Sequence, residues 1–160
     1  MTRIHNAIAA AVTIGVLANT FHVLADSSAS VPFPVEYRNW AVTRSYVAGP
    51  DSQSAGFHHY YANAKALEGF AAGRFPDGSV IVDERLAVDQ RGGNSFEGKR
   101  ISVAVMLKDS RRYSETGGWG FDSAQGESQT LAASSETRAA CHSCHAKQKD
   151  HDFVFSTLRK

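Results

Sequence analysis

The sequence has 160 residues, with 17 Lys and Arg against 16 Asp and Glu and an aromatic content of 10%. Charge so evenly balanced, with no basic stripe or acidic tail, argues against nucleic acid or an anionic membrane surface as a partner. A chain of this length can bury a core, and its aromatic residues suffice to line a cofactor pocket.

The N-terminus comes first. Arg3 is the only charged residue before Asp26, and residues 7–17 are nearly all small and apolar. A basic start, an apolar run too short to span a bilayer comfortably, and the small residues of Val23-Leu24-Ala25 read as a secretory signal peptide over residues 1–25. A buried N-terminal helix and a membrane anchor are the competing readings. Cleavage after Ala25 would leave residues 26–160 as one domain without a membrane span, released to the periplasm.

In the mature part, residues 26–34 read as an extended arm, 36–40 as a helical turn, and 41–48 and 57–62 as strands. Asn63 can cap a short helix that runs to Ala72 and ends at Gly73. Phe75-Pro76-Asp77-Gly78 is turn chemistry. It launches a strand over 79–88, with Val80, Val82 and Glu84 on one face and Ile81 and Asp83 on the other. The polar residues 89–98 read as a loop, and 100–107 as the clearest strand, with Ile101, Val103, Val105 and Leu107 facing one way. Gly117 to Phe121 reads as a tight turn pinning two aromatic rings, and 136–149 as a helix. The expected fold class is α+β: mainly an antiparallel β-sheet with a few short helices, the last near the C-terminus.

That last helix holds the chemistry. The only two cysteines, Cys141 and Cys144, are followed at once by His145. A c-type haem needs two thiols to add across its vinyl groups and an imidazole within reach of the iron, and this spacing supplies all three on one helical turn. The reading is one covalent haem c on Cys141 and Cys144, with His145 as proximal iron ligand. Two alternatives compete. Zinc could recruit Cys141, Cys144, His145 and His151, although structural zinc usually joins two separated knuckles. A redox dithiol normally sits early in a βαβ unit, which is not found here. The export signal favours haem, whose attachment takes place outside the cytoplasm.

The motif lies near the C-terminus, whereas small electron carriers hold it near the N-terminus with an axial Met downstream. Here the only mature methionine, Met106, is upstream and in a strand. It reads as packing on the second face of the sheet, with an axial role as the minor alternative.

Several segments occur in a telling order: Phe57-His58-His59-Tyr60-Tyr61-Ala62-Asn63, Phe75-Pro76-Asp77-Gly78, Val105 to Asp109, Gly117-Gly118-Trp119-Gly120-Phe121, the haem motif, and Asp152-Phe153-Val154-Phe155-Ser156. Together they resemble the cytochrome P-460 family, which includes the cytochromes c′-beta. The resemblance implies a mostly antiparallel β fold, usually a homodimer, with a five-coordinate haem iron. The open distal side would meet small gaseous or N-oxide ligands such as nitric oxide, carbon monoxide or hydroxylamine.

The family divides between hydroxylamine-oxidising members, with a lysine cross-linked to the porphyrin and a distal carboxylate, and gas-binding members that lack the cross-link. The cross-linking lysine is expected on the strand matching 80–88, where this chain has Asp83, Glu84 and Arg85 but no lysine. Lys65, Lys99 and Lys108 are the alternatives, each also readable as a surface charge. The resemblance makes Asp109 the candidate distal acid, although it can equally cap the turn that follows. His58 and His59 should face opposite ways, the inward one hydrogen-bonded in the core rather than a sixth ligand. Arg111, Arg112 and Arg138 are candidates for the haem propionates. The expectation is a ligand-binding haem protein. The alternatives are a hydroxylamine or nitric oxide oxidoreductase passing electrons to a partner cytochrome, and a simple electron carrier.

Overall fold

The computed structural model describes residues 30–158, so the expected signal peptide lies outside the described residues. Five strands form one antiparallel sheet in chain order: β1 (Ala41–Ala48), β2 (Gly56–Ala62), β3 (Val80–Arg91), β4 (Asn94–Lys108) and β5 (Trp119–Gln125). Helix α1 (Ala64–Ala72) connects β2 to β3, and α2 (Ser135–His145) follows β5 and packs against it. The fold class is the α+β one expected, and β1 and α1 occupy the residues their patterns suggest. In α1 the Asn63 side chain accepts from Ala66 N–H at 2.9 Å, and Gly73 takes the left-handed conformation that ends the helix.

Both faces of the sheet are covered, each by its own apolar cluster. On one face Val82, Val103, Val105 and Ala124 pack with Val31, Tyr37, Tyr113 and Leu131. On the other, Ala62, Ile81 and Phe121 meet Ala66 of α1, Phe75, Trp119, Phe153 and Val154. Because neighbouring residues point to opposite faces, Ile81 and Val82 are both buried. Burying a side chain of this kind stabilises the fold by roughly 1.5–3 kcal/mol.

Two local expectations require correction. Residues 89–98 are not a loop. β3 and β4 continue as a paired ribbon, with Val88 opposite Glu97 and Arg91 opposite Asn94. Gly92 and Gly93, at φ of 56° and 78°, make the two-residue turn. The ribbon is exposed, so its pairing rests on backbone hydrogen bonds and leaves no apolar alternation to read. Residues 117–121 are likewise not wholly a turn. The turn is Gly117-Gly118, and Trp119 already opens β5, whose core-facing aromatic residues look like turn anchors in isolation. The expected helix over 136–149 is α2 followed by a tighter 3₁₀ segment, Ala146–His151.

Candidate functional site

Helix α2 is positioned by its own sequence. The Ser134 side chain accepts from Thr137 N–H at 3.2 Å, and Glu136 lies in the first turn, where a carboxylate suits the helix dipole. The motif spacing puts Cys141, Cys144 and His145 on neighbouring positions of one helical turn. Both thiols are free; Cys141 is half-buried and Cys144 exposed. Burial pushes the Cys141 thiol up from its ordinary value, and the neighbouring Cys144 adds to the shift.

His145 is oriented by the segment that follows. Its Nδ1 lies 2.7 Å from the Phe153 carbonyl oxygen, which can only accept. Nδ1 therefore carries the hydrogen, and Nε2 is left with a lone pair suited to a metal. Burial lowers the His145 pKa, which favours the neutral ring a metal requires. The carbonyl reaches this position because Asp152 and Phe153 both hold positive φ, 50° and 65°. Such backbone costs about 1–3 kcal/mol per residue and persists only where the surroundings impose it. Here Asp152 is fixed three ways. Its carboxylate accepts from Lys108 Nζ at 2.6 Å and from Phe75 N–H at 2.8 Å, and its carbonyl accepts from Trp119 Nε1–H at 2.9 Å.

Cys141 and His145 face a cavity whose opposite wall is the sheet. Tyr60 of β2, Ile81 and Asp83 of β3, Met106 of β4 and Phe121 of β5 line it, with Arg44 at one side. The strand register explains the grouping, since Tyr60 pairs with Asp83, and Ile81 pairs with Met106, which pairs with Phe121. At its edge Val154, Phe155 and Ser156 are shared with a neighbouring cleft lined by Phe70 and Phe75. The site is thus a largely apolar space with two carboxylates, Asp83 and Asp122, in its lining, and with an imidazole lone pair and two thiols on the facing helix. These groups fit a covalently held haem. Among the described residues, no three His, Cys, Asp or Glu side chains gather as ligands of a bare metal ion.

Other candidates lie elsewhere. Asp109 does not line this cavity. Its carboxylate accepts from the N–H groups of Arg111 and Arg112 at 3.2 and 3.0 Å, which is the capping role. The residue falls one step beyond β4, where the chain has left the sheet, so it cannot project from the sheet face. Lys65 is exposed and donates to the Asp77 carbonyl, Lys99 is exposed, and Lys108 is paired with Asp152. Arg112 donates to the Ser30 carbonyl, and Arg138 pairs with the buried Asp122 at 3.3 Å. Met106 packs on the second face, where it lines the cavity. His58 and His59 do face opposite ways. His58 is buried and hydrogen-bonded at both ring nitrogens, to Asp83 and to the Ser54 carbonyl. His59 bonds Ser45 and Glu97 on the far face.

Sequence reasoning missed Asp83 and Tyr60 as cavity residues. The signal was present, since Asp83 alternates with Ile81 on the face opposite Val82. Burial and the Asp83 carboxylate raise the Tyr60 pKa well above the usual tyrosine value, and the Tyr46 hydroxyl adds to this. Also missed was Glu84, buried on the far face, where it accepts from Tyr37 at 2.6 Å, from Tyr61 at 3.2 Å and from Arg38.

An antiparallel sheet facing a C-terminal helix with a Cys-X-X-Cys-His run is the frame of a haem protein. The chain belongs to the cytochrome P460 family, whose model, Cytochrome P460, matches residues 34–156. No curated protein matches the chain. The family implies haem c, and the two helical cysteines carry the Cys-X-X-Cys spacing that haem c requires. No described helix is long and apolar enough to cross a membrane.

Proposed function

We propose that this chain is an exported, mono-haem c-type cytochrome that binds nitric oxide or a related small N-oxide at an open iron position. Cys141 and Cys144 hold the haem, and His145 Nε2 is the proximal ligand. The observation that carries this reading is the single orientation of His145, with Nδ1–H committed to Phe153 and Nε2 left for the metal. When bound, the haem supplies an iron with one position for a diatomic or N-oxide ligand. Around it, the chain contributes an apolar wall of Ile81, Met106 and Phe121 that excludes water, and the Asp83 carboxylate as a polar contact. His58 has both ring nitrogens engaged and so does not compete as a sixth ligand.

The cross-linked, hydroxylamine-oxidising alternative lacks support at one point. No described lysine lines the cavity, and Lys65, Lys99 and Lys108 have the other placements given above. Asp83 alone is half of that equipment. The electron-carrier alternative has one observation in its favour, because Met106 lines the same cavity as His145.

Optical and resonance Raman spectra of the ferric, ferrous and nitric-oxide-treated holoprotein test the proposal. The expected result is a high-spin, five-coordinate ferrous iron that takes up nitric oxide, in a protein whose haem survives acidified organic solvent. A low-spin ferrous spectrum that becomes high-spin in Met106→Ala would establish the carrier instead. A colourless, zinc-containing protein would end the haem reading.

A further inference from the structure

Asp83 sits in the middle of β3, between Tyr60 of β2 and Ala104 of β4, with its side chain on the cavity face. His58, its diagonal neighbour on β2, is only 4% exposed. The His58 Nδ1 lies 2.9 and 3.2 Å from the two Asp83 carboxyl oxygens, and Nε2 lies 2.8 Å from the Ser54 carbonyl oxygen. A carbonyl oxygen accepts and never donates, so Nε2 must carry its hydrogen. What remains between Nδ1 and the carboxyl group is one proton. The pair is either imidazolium and carboxylate or imidazole and carboxylic acid, and its net charge is zero both ways. The Tyr46 ring stacks flat on His58, with centroids 4.8 Å apart and planes 4° from parallel, which holds the imidazole in the plane this contact needs.

We propose that His58 and Asp83 act as one unit that presents a single exchangeable proton to the ligand on the iron. Asp83 is the group that meets the ligand. His58 is a positioning residue that supplies the proton and acts only through Asp83. The unit selects ligands whose outer atom accepts a hydrogen bond or a proton, the N-oxide class, over those that gain little from one, such as carbon monoxide. If the proton is given up, it passes from the pair to the outer atom of the ligand, and the pair is left as imidazole and carboxylate with a charge of minus one. The other charged or titratable groups facing the unit are Arg44 from β1, Tyr46 and Tyr60, Arg85 from β3, and Asp122 and His145 across the cavity. The inference rests on the open-iron reading above and adds the pair of side chains that sets the preference among small ligands.

Carbon monoxide on the ferrous holoprotein is the probe, since its C–O stretch falls when a neighbouring group donates a hydrogen bond to it. The stretch is expected to shift between H₂O and D₂O in the unmutated protein, and to lose that sensitivity in both Asp83→Ala and His58→Gln. Nitric oxide should leave both variants about tenfold faster, as expected for the loss of one charge-assisted hydrogen bond. Gln can still bond Asp83 but brings no transferable proton, so a purely structural His58 would leave the His58→Gln stretch unchanged. Nitrogen NMR of the diamagnetic carbon monoxide form reads the same point without a substitution, the expected His58 signals being a protonated Nε2 and a shared proton at Nδ1. A carbon monoxide complex insensitive to solvent and to both substitutions would overturn the unit alone. A protein that takes up neither gas would overturn the open-iron reading, and the unit with it.

Discussion

Two acidic residues of β3 sit one position apart and meet opposite circumstances. Asp83 faces the cavity, whereas Glu84 is 1% exposed on the far face. Burial pushes the Glu84 carboxyl up, but hydrogen bonds from Arg38, Tyr37 and Tyr61 outweigh it, and the group ends below its ordinary value. A carboxylate held low in the folded state contributes stability that is complete above its unfolded value, near pH 4.3, and is lost as pH falls through the folded value. Unfolding midpoints in urea should therefore drop as pH is lowered below about 4. Glu84→Gln should cost about 1–3 kcal/mol at neutral pH and flatten that acid limb. An acid limb identical in the variant would show that other carboxylates control it. Arg38 is 57% exposed in its side chain, so solvent screens its charge, while the Tyr37 hydroxyl bonds the carboxylate from the buried side. The buried charge was hard to read in sequence. Alternation placed Glu84 with Val80 and Val82, yet its partners lie 47 and 46 positions upstream at Tyr37 and Arg38.

At the scale of elements, the turn between β4 and β5 and the segment after α2 fix the proximal side together. Gly117 stands at φ of 69°, and a Cβ there would strike the Phe153 ring. Phe153 supplies the carbonyl that orients His145, so Gly117→Ala is expected to disturb the proximal imidazole from a site two elements away. The iron–histidine stretch of the ferrous protein should shift or broaden, and haem yield should fall, while the sheet signal in circular dichroism persists. An unchanged iron–histidine stretch would mean that Phe153 relaxes without moving its carbonyl. Element by element, the sequence was most readable where local chemistry and burial agree. Asn63 and Gly73 bracket α1, and the alternation of β4 from Val103 to Leu107 matches its two faces, whereas a register shift at Ile101 takes that residue out of the expected row. It was least readable where pairing runs through exposed polar residues, as in the β3–β4 ribbon. The reactive end of the site, Cys141, Cys144 and His145, was legible because its spacing is local. Its far wall was not, since Tyr60, Asp83 and Met106 meet only through the register of three strands.

Across the whole molecule, the lysines decide between a binding protein and an oxidoreductase, because the fold places Lys65 on α1 and Lys99 and Lys108 on β4, and none of the three lines the cavity. Lys65 stands on α1 and donates to the Asp77 carbonyl at 2.9 Å. Lys99 is exposed on β4, and Lys108 at the end of that strand is committed to Asp152 and to the Gly117 carbonyl at 3.0 Å. Moving Lys108 to a macrocycle would leave the largely covered Asp152 carboxylate without its cation. Breaking a buried pair in that way costs about 3–5 kcal/mol and would also release the turn that orients His145. Lys65 and Lys99 face no such penalty, but neither borders the cavity. Tryptic digestion of the denatured holoprotein is therefore expected to return Lys65, Lys99 and Lys108 in ordinary peptides. The peptide bearing Cys141 and Cys144 should have the mass of peptide plus one haem and nothing more. The ferrous Soret band should be that of an ordinary high-spin haem c, and hydroxylamine oxidation with an artificial acceptor should be slow or absent. A bond from a side chain to the ring would change the electronics of the cofactor independently of its axial ligand, and such a bond would be visible in both measurements. A haem peptide joined to any of the three lysines would make the oxidoreductase the better reading, with Asp83 as the carboxylate that takes up protons from the substrate.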